Sequence, residues 1–247
     1  MARFRVMSYD LNHERSRSGE LCAELCGQII RQQGVDLVML QRVGPPRGET
    51  SLQRLAERVG LAAYGSDSEG SCAYLSRYPL HNLQTTPLGH DDICVRADFD
   101  TASERIHLLN LTLNWHPGKR LKQVARLLGD ELLGGRSFPC ATIIGGDFGL
   151  PLWGCGQVAL NPQIGRAKHP LWRANYPATF PLWGRERIYF QGPVTATNGW
   201  IITSKEAKST LIQLPLVVDV ETCDTRKALR IKEQVSLNPK HPKPVCG

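Results

Sequence analysis

Hydrophobic and polar residues alternate along several short segments of this chain. Residues 3–11 show the alternation clearly and predict a strand that ends at Asp10. Residues 19–33 and 117–133 instead carry hydrophobic residues at helical spacing and predict two long helices, the second with Leu121 facing the core. The further predicted elements are a short helix at 51–59 and strands at 35–41, 72–76, 93–99, 106–113, 140–146, around 188, 199–203 and 216–221.

The order of these elements indicates the fold class. Most of them are short strands, and they show neither a regular alternation of strand and helix nor an all-β pattern. We therefore predict an α+β sandwich in which two packed sheets are flanked by a few helices. Residues 1–222 are expected to form this domain, and residues 223–247, where the pattern fades, are expected to form a basic C-terminal tail.

Composition places few further limits on the chain. It has 247 residues with an ordinary hydrophobic content, and it lacks the run of about 18 apolar residues that a membrane helix needs. The N-terminus enters a strand pattern without the apolar stretch of a signal peptide, which predicts a cytoplasmic protein. The eight cysteines show no zinc-ligand spacing, so reduced thiols are expected.

The formal net charge of +7 is unevenly distributed. Residues 224–247 hold six basic and two acidic side chains, so the tail carries more than half of the excess. A basic balance permits binding to phosphate backbones. A tail that is merely solvated explains the same charges.

One segment combines a buried strand pattern with a single carboxylate. Residues 140–146 form an apolar run that ends in Gly145-Gly146, and Asp147 follows at once. Such a strand would deliver Asp147 to the rim of a sheet, where functional side chains are common. The alternative is that Asp147 only caps the turn after the strand.

Nine segments together resemble the endonuclease/exonuclease/phosphatase superfamily, the metal-dependent phosphodiesterases related to DNase I and exonuclease III. The resemblance covers residues 4–221 and implies a DNase I-like four-layer sandwich of two mixed sheets. It also implies hydrolysis of phosphate esters with the help of Mg²⁺. The matching segments, in the family's order, are 6–12, 36–43, 73–80, 109–113, 120–123, 146–149, 179–181, 187–190 and 211–215.

Most positions that carry the family's chemistry are substituted in this chain. Arg42 stands in place of the metal-binding glutamate, and Asp10 stands in place of a metal-binding asparagine. Thr112 replaces a histidine, whereas Asp147 is retained. The remaining substituted positions are Gly149 for asparagine, Tyr189 for aspartate, and Ile212 and Gln213 for the aspartate and histidine of the closing triplet.

These substitutions predict a catalytically inactive protein, a pseudoenzyme that needs no cofactor. A guanidinium about 4 Å from a divalent cation costs on the order of 8 kcal/mol at an effective dielectric constant near 20. Gln213 cannot transfer a proton as histidine does. Either the site has drifted, or Arg42 now forms an ion pair with Asp10 or Asp147. The alternative is a divergent Mg²⁺- or Mn²⁺-dependent phosphodiesterase that uses Asp10 and Asp147 as metal ligands.

The predicted binding residues are Arg42 in the cleft and Trp115, Lys119 and Arg120 near the start of the second long helix. They would hold nucleic acid or a phosphorylated ligand. A protein partner stays open, and no membrane is expected. The alternative, which we favour, is that residues 115–120 are only a helix entry with Pro117 near the first turn. Five aromatic residues could stack bases or pin a long loop to the body: Trp153, Trp172, Tyr176, Phe180 and Trp183.

Overall fold

The computed structural model contains two β-sheets and four α-helices within the residues that it describes. These residues are 1–20, 22–44, 52–66, 71–89, 92–101, 105–129, 132–133, 141–149, 165–166 and 174–222, so the predicted tail at 223–247 lies outside them. The strands are β1 (Arg3–Asp10), β2 (Leu37–Val43), β3 (Ala62–Gly65), β4 (Ser71–Ser76), β5 (His81–Gly89), β6 (Asp92–Asp100), β7 (Arg105–Thr112), β8 (Thr142–Asp147), β9 (Gly165–Arg166), β10 (Glu186–Gln191), β11 (Val194–Ile201) and β12 (Leu216–Thr222). The helices are α1 (Ala23–Gln32), α2 (Leu52–Val59), α3 (Pro117–Leu127) and α4 (Lys205–Thr210), and Asn12–Glu14 form a 3₁₀ turn.

Both sheets are mixed. The first has the strand order β11-β12-β1-β2-β4-β3, and the second has the order β5-β6-β7-β8-β10-β9. In each sheet one central pair is parallel, β1 with β2 and β7 with β8, and the other pairs are antiparallel. The parallel register pairs Asp10 with Gln41 in the first sheet and Thr112 with Asp147 in the second. The carboxyl ends of these strands therefore carry the predicted site residues.

The hydrophobic core lies between the two sheets and beneath the helices. A large cluster joins buried residues of both sheets, such as Val38 and Ile143, to residues of α1 such as Ile30. A second cluster joins the outer face of the second sheet to α3, for example Ile144 to Leu127. The layers are thus helices, sheet, sheet and helix, which confirms the predicted α+β sandwich. Within the described ranges, no helix is both long and apolar enough to cross a membrane.

The predicted strands and long helices are present with shifted ends, but the inward position of Leu121 is wrong. Leu121 is 73% exposed, and α3 instead buries Arg120, Gln123, Val124 and Leu127. The two polar residues lie inward because they bond to backbone groups of neighbouring segments, which hydrophobic spacing does not reveal. Four further elements had no prediction: β3, the largely exposed β5, β9 and α4.

Buried polar side chains connect the two sheets beneath the site. In β2, Gln41 donates through Nε2 to Oδ1 of Asn110 in β7 at 2.7 Å. In β1, the Ser8 hydroxyl donates to Glu186 of β10, and Gln213 donates through Nε2 to the other oxygen of Glu186 at 2.7 Å. Each of these side chains is at most 2% exposed. The network fixes the relative position of the sheets, because a buried polar group that loses its partner is costly.

Glu186 is the titratable member of this network. Burial, followed by the negative charge of Asp147, raises the pKa of Glu186 to about 8. The carboxyl group is therefore mostly protonated near neutral pH and can bond to Ser8 and Gln213 without a net charge.

Gly146 places Asp147 at the end of β8. Its φ angle is +143°, and a Cβ atom at this position would lie 1.9 Å from the backbone oxygen of Leu111 on the neighbouring strand. We predict that Gly146→Ala lowers the free energy of unfolding by about 3 kcal/mol or more, measured by urea denaturation. The control is Gly118→Ala in α3, where the nearest atoms are 3.7 Å from the added methyl group. Equal stability of the two variants would contradict this account.

The pKa of Glu186 predicts a pH dependence of stability. Because its folded pKa of about 8 exceeds its ordinary value of 4.5, the stability that it contributes is complete below the lower value and is lost as the pH rises through the higher one. We expect the wild type to lose on the order of 3–5 kcal/mol relative to Glu186→Gln over this range, measured by chemical denaturation. The exposed Glu57→Gln serves as the control for the loss of a carboxylate at the surface. A stability difference between the wild type and Glu186→Gln that stays constant over this pH range would refute the prediction.

Candidate functional site

Three strand ends bring the site residues together. Asp10 ends β1, Asp147 ends β8, and Arg42 lies near the end of β2. The pairing of β2 with β4 shifts register between Leu40 and Val43, and Arg42 there has a φ angle of +46°. Such a bulge redirects a side chain that a regular strand would have pointed elsewhere. The register shift and the positive φ angle therefore occur at the residue whose side chain lies beside the two carboxylates.

Arg42 bridges the two aspartates. Its Nε atom donates to Oδ1 of Asp10 at 2.8 Å, and its Nη2 atom contacts Oδ2 of Asp10. The same Nη2 atom lies 3.1 Å from Oδ2 of Asp147. The predicted ion pair is confirmed, and it involves both carboxylates rather than one. Apart from Arg42, Oδ2 of Asp10 has no well-formed hydrogen bond within the described residues.

A second guanidinium group, that of Arg185, holds Asp147 from the other side. Its Nε atom lies 3.2 Å from Oδ1 of Asp147, and its Nη2 atom lies 2.5 Å from Oδ2. Its Cζ atom is 4.8 Å from the ring centre of Tyr176, which stacks on Trp183 at 5.9 Å. In the described part of the loops, these two aromatic residues pack against the site, as the pinning alternative expects. Trp153 and Trp172 lie outside the described residues.

Sequence reasoning missed Arg185. It stands two residues before the segment that resembles the family and far along the chain from Asp147. No short spacing connects them, because the antiparallel pairing of β8 with β10, which places Glu186 opposite Asp147, brings the pair together only in the folded structure. A polar residue just before a buried strand is too common a signal to single out one arginine.

Backbone groups also bind the two carboxylates. The amide of Asn12 donates to Oδ1 of Asp10 at 3.0 Å, and the amide of Gly149 donates to Oδ1 of Asp147 at 2.9 Å. Asp147 therefore caps a turn and also belongs to the charged cluster, so the two alternatives of the sequence analysis are both true.

In this cluster the arginine side chains, and not the carboxylates, are exposed to solvent, which is the reverse of what a metal site requires. The side chains of Asp10 and Asp147 are 0% and 1% exposed, whereas those of Arg42 and Arg185 are 26% and 20% exposed. A ligand that approaches the cluster from solvent meets guanidinium groups first. Cationic groups therefore cover the buried carboxylates on the solvent side of the cluster.

The residues present do not fit the divalent metal ion that the fold family implies. Arg42 occupies the space between the two carboxylates, and its guanidinium already satisfies oxygen atoms that a metal would need. A divalent ion beside this fixed positive charge would be repelled strongly. Within the described ranges, no group of three or more His, Cys, Asp or Glu side chains is arranged to hold a metal.

The other substituted positions are packed into the surrounding structure. Thr112 ends β7 opposite Asp147 and is 6% exposed. Tyr189 is 5% exposed, and its ring lies 5.0 Å from that of Phe148 in the smaller core cluster. Gly149 has a φ angle of +58°, and a Cβ atom there would lie 2.7 Å from the oxygen of Leu113, so an asparagine would be both strained and obstructed.

The closing segment carries no proton-transfer group. Gln213, at the position of the family's histidine, is 2% exposed and donates its amide to Glu186. Ile212 presents its backbone oxygen to the amide of Ala178 at 2.9 Å. Both residues therefore connect the segment between α4 and β12 to neighbouring parts of the structure, Ile212 to Ala178 and Gln213 to β10.

The predicted binding residues near α3 have different surroundings. Trp115 is 76% exposed, and Lys119 is also exposed. Arg120 is only 9% exposed and donates through Nη1 to the backbone oxygens of Trp115 and Gly149, both at 3.1 Å. Burial, with a smaller effect from Arg187, lowers the pKa of Arg120. The structure thus places Arg120 as a connection between the α3 entry and the loop after Asp147, and leaves Trp115 and Lys119 accessible.

Comparison with known sequences gives no assignment. No protein-family model matches the chain, and no curated protein sequence matches it.

Comparison with solved structures identifies the fold. TDP2 from D. rerio, in a complex with a single-strand DNA product, is similar with a TM-score of 0.72 and 15% identity over 90% of this chain and 100% of that one. An endonuclease/exonuclease/phosphatase from Beutenbergia cavernae has a TM-score of 0.68 and 14% identity over 90% of this chain and 72% of that one. One from Bacteroides vulgatus has a TM-score of 0.68 and 12% identity over 90% and 100%. The chain therefore has the DNase I-like fold of the endonuclease/exonuclease/phosphatase structures.

Proposed function

We propose that this chain is a catalytically inactive member of the endonuclease/exonuclease/phosphatase superfamily whose cleft binds an anionic ligand without a metal ion. The observation that carries the proposal is the ion pair of Arg42 with both Asp10 and Asp147. A fixed organic cation occupies the space between the carboxylates that a divalent ion would require.

Loss of hydrolysis follows from several missing groups that act together. Gln213 and Thr112 occupy the positions where the resemblance expects a histidine. An amide cannot accept and release a proton near neutral pH. Removal of one member of such a constellation already abolishes most of the rate, so the additional loss of the metal site leaves no route for water to attack a phosphate.

The cluster retains donors for an anion. Arg42 and Arg185 converge on the same oxygen of Asp147 through their Nη2 atoms. Within the described part of the chain, the Nη1 atom of each guanidinium has no hydrogen-bond partner. Guanidinium groups bind phosphate oxygens with strong, directional hydrogen bonds. These donors favour a phosphorylated ligand over a neutral one.

A metal titration tests the central part of the proposal. By isothermal titration with Mg²⁺ and Mn²⁺, we expect no saturable binding to the wild type and no turnover of bis-p-nitrophenyl phosphate. Arg42→Glu should instead show saturable Mn²⁺ binding, since a third carboxylate replaces the cation. Arg58→Glu, which changes a solvent-exposed arginine of α2 in the same sense, should behave as the wild type.

The alternative of a divergent phosphodiesterase makes the opposite prediction. It requires Asp10 and Asp147 to hold Mg²⁺ or Mn²⁺ in the wild-type protein. Saturable metal binding with turnover that is lost in Asp147→Ala would therefore establish the alternative and overturn the proposal of an inactive protein.

A nucleic-acid strand is the ligand class that we favour. The similar D. rerio structure is of TDP2 with a single-strand DNA product. In this chain, the exposed Trp115 and Lys119 lie at the α3 entry, which Arg120 joins to the loop after Asp147. An exposed indole stacks on bases of any sequence, and a neighbouring ammonium group attracts the phosphate backbone.

Fluorescence anisotropy with a short labelled single strand tests this ligand. We expect affinity to fall steeply with added salt, because phosphate contacts release counterions. Trp115→Ala should weaken binding about tenfold, and Leu121→Ala, which truncates an equally exposed side chain on α3, should not. Salt-independent binding, or equal effects of the two variants, would instead favour a protein partner or another ligand.

A further inference from the structure

Two cysteines at the start of α1 take no part in the cleft. Cys22 is the N-cap residue of α1, and Cys26 lies one turn later. Their Sγ atoms are 3.8 Å apart. A disulfide bond is about 2.05 Å long, so the sulfur atoms need to approach by only about 1.8 Å, which side-chain rotation can supply.

The surroundings of the two thiols are unequal. Cys22 is 8% exposed, and its thiol donates to the backbone oxygen of Glu14 at 3.4 Å. Cys26 is fully buried and accepts a hydrogen bond from the Tyr9 hydroxyl at 3.1 Å. An oxidant from solvent would therefore reach Cys22 before Cys26.

The pKa values of the two thiols also differ, and Cys22 is the thiol that ionises more readily. The hydrogen bond from Cys26 lowers the pKa of Cys22, and the positive end of the α1 dipole favours a thiolate at this position. The hydrogen bond with Cys22, together with burial, raises the pKa of Cys26. Cys22 is thus the nucleophile of the pair, and Cys26 is the thiol that resolves the oxidised intermediate.

We propose that Cys22 and Cys26 form a reversible oxidative modification site, in which hydrogen peroxide converts the neighbouring thiols into a disulfide within α1. The Cys22 thiolate attacks one peroxide oxygen, an S–O bond forms, and the O–O bond breaks. The hydroxide that leaves takes up a proton to become water.

In the second step the two sulfur atoms join and a second water is released. Cys26 loses its proton, and its sulfur attacks Sγ of Cys22. The S–S bond forms as the S–O bond breaks, and the departing hydroxyl takes up a proton as a second water. One peroxide is reduced to two waters while two thiols are oxidised. A dithiol reductant reverses the reaction by thiol–disulfide exchange.

Peptide mapping of the full chain tests the proposal. The protein is treated with equimolar hydrogen peroxide, alkylated with N-ethylmaleimide under denaturing conditions and digested with trypsin without reduction. We expect the peptide of residues 18–31 to lose two hydrogen atoms in mass and to carry no maleimide, and dithiothreitol to restore both alkylation sites. The buried Cys72 and Cys94, in β4 and β6, are internal controls and should stay fully alkylated.

Two variants separate the roles of the thiols. Cys26→Ser should stop at the sulfenic acid of Cys22, which dimedone traps, whereas Cys22→Ser should leave Cys26 unoxidised. If peptide 18–31 of the treated wild type carries two maleimides, or if Cys22 proceeds to a sulfinic acid while Cys26 stays alkylated, the proposal is wrong. Because neither cysteine belongs to the cleft, this result is independent of the metal and nucleic-acid experiments.

Discussion

The charge balance between Arg42 and two buried aspartates is the constraint on which the site depends. Asp10 and Asp147 are almost fully removed from water, and isolated buried carboxylates would be costly. Arg42 contacts both of them, and Arg185 adds a bidentate contact to Asp147. Removal of Arg42 would leave negative charge without compensation, so the guanidinium is part of the folded structure as well as of the site.

This arrangement explains why the neighbouring substitutions belong together. On the proposal that a guanidinium replaces the metal, the groups that would orient water around the metal have no remaining role. Tyr189 then serves the core beside Phe148, and Gln213 bonds to Glu186, whose raised pKa keeps the layer below the site nearly neutral at physiological pH. The strands form the DNase I-like fold, and the cleft presents Arg42 and Arg185 to solvent.

The sequence predicted the features of the structure that follow from hydrophobic periodicity and from the positions of strand ends. The alternation of β1 and the apolar runs of β2 and β8 report burial directly, so the places of Asp10, Arg42 and Asp147 at strand ends followed. The ion pair was expected from the resemblance, which sets Arg42 in place of a metal-binding glutamate. Interactions between residues far apart in the chain leave no comparable pattern in the sequence. Arg185 reaches Asp147 through the antiparallel pairing of β8 with β10, and Arg120 and Gln123 face inward to bond with backbone groups, which displaced Leu121 to the surface.

The most direct test is a crystal structure of the wild-type chain soaked in MnCl₂, with data collected for anomalous scattering. The account predicts that the Arg42 guanidinium stays between Asp10 and Asp147 and that no anomalous peak appears between the two carboxylates. A manganese peak coordinated by both aspartates, with Arg42 displaced toward solvent, would contradict the account.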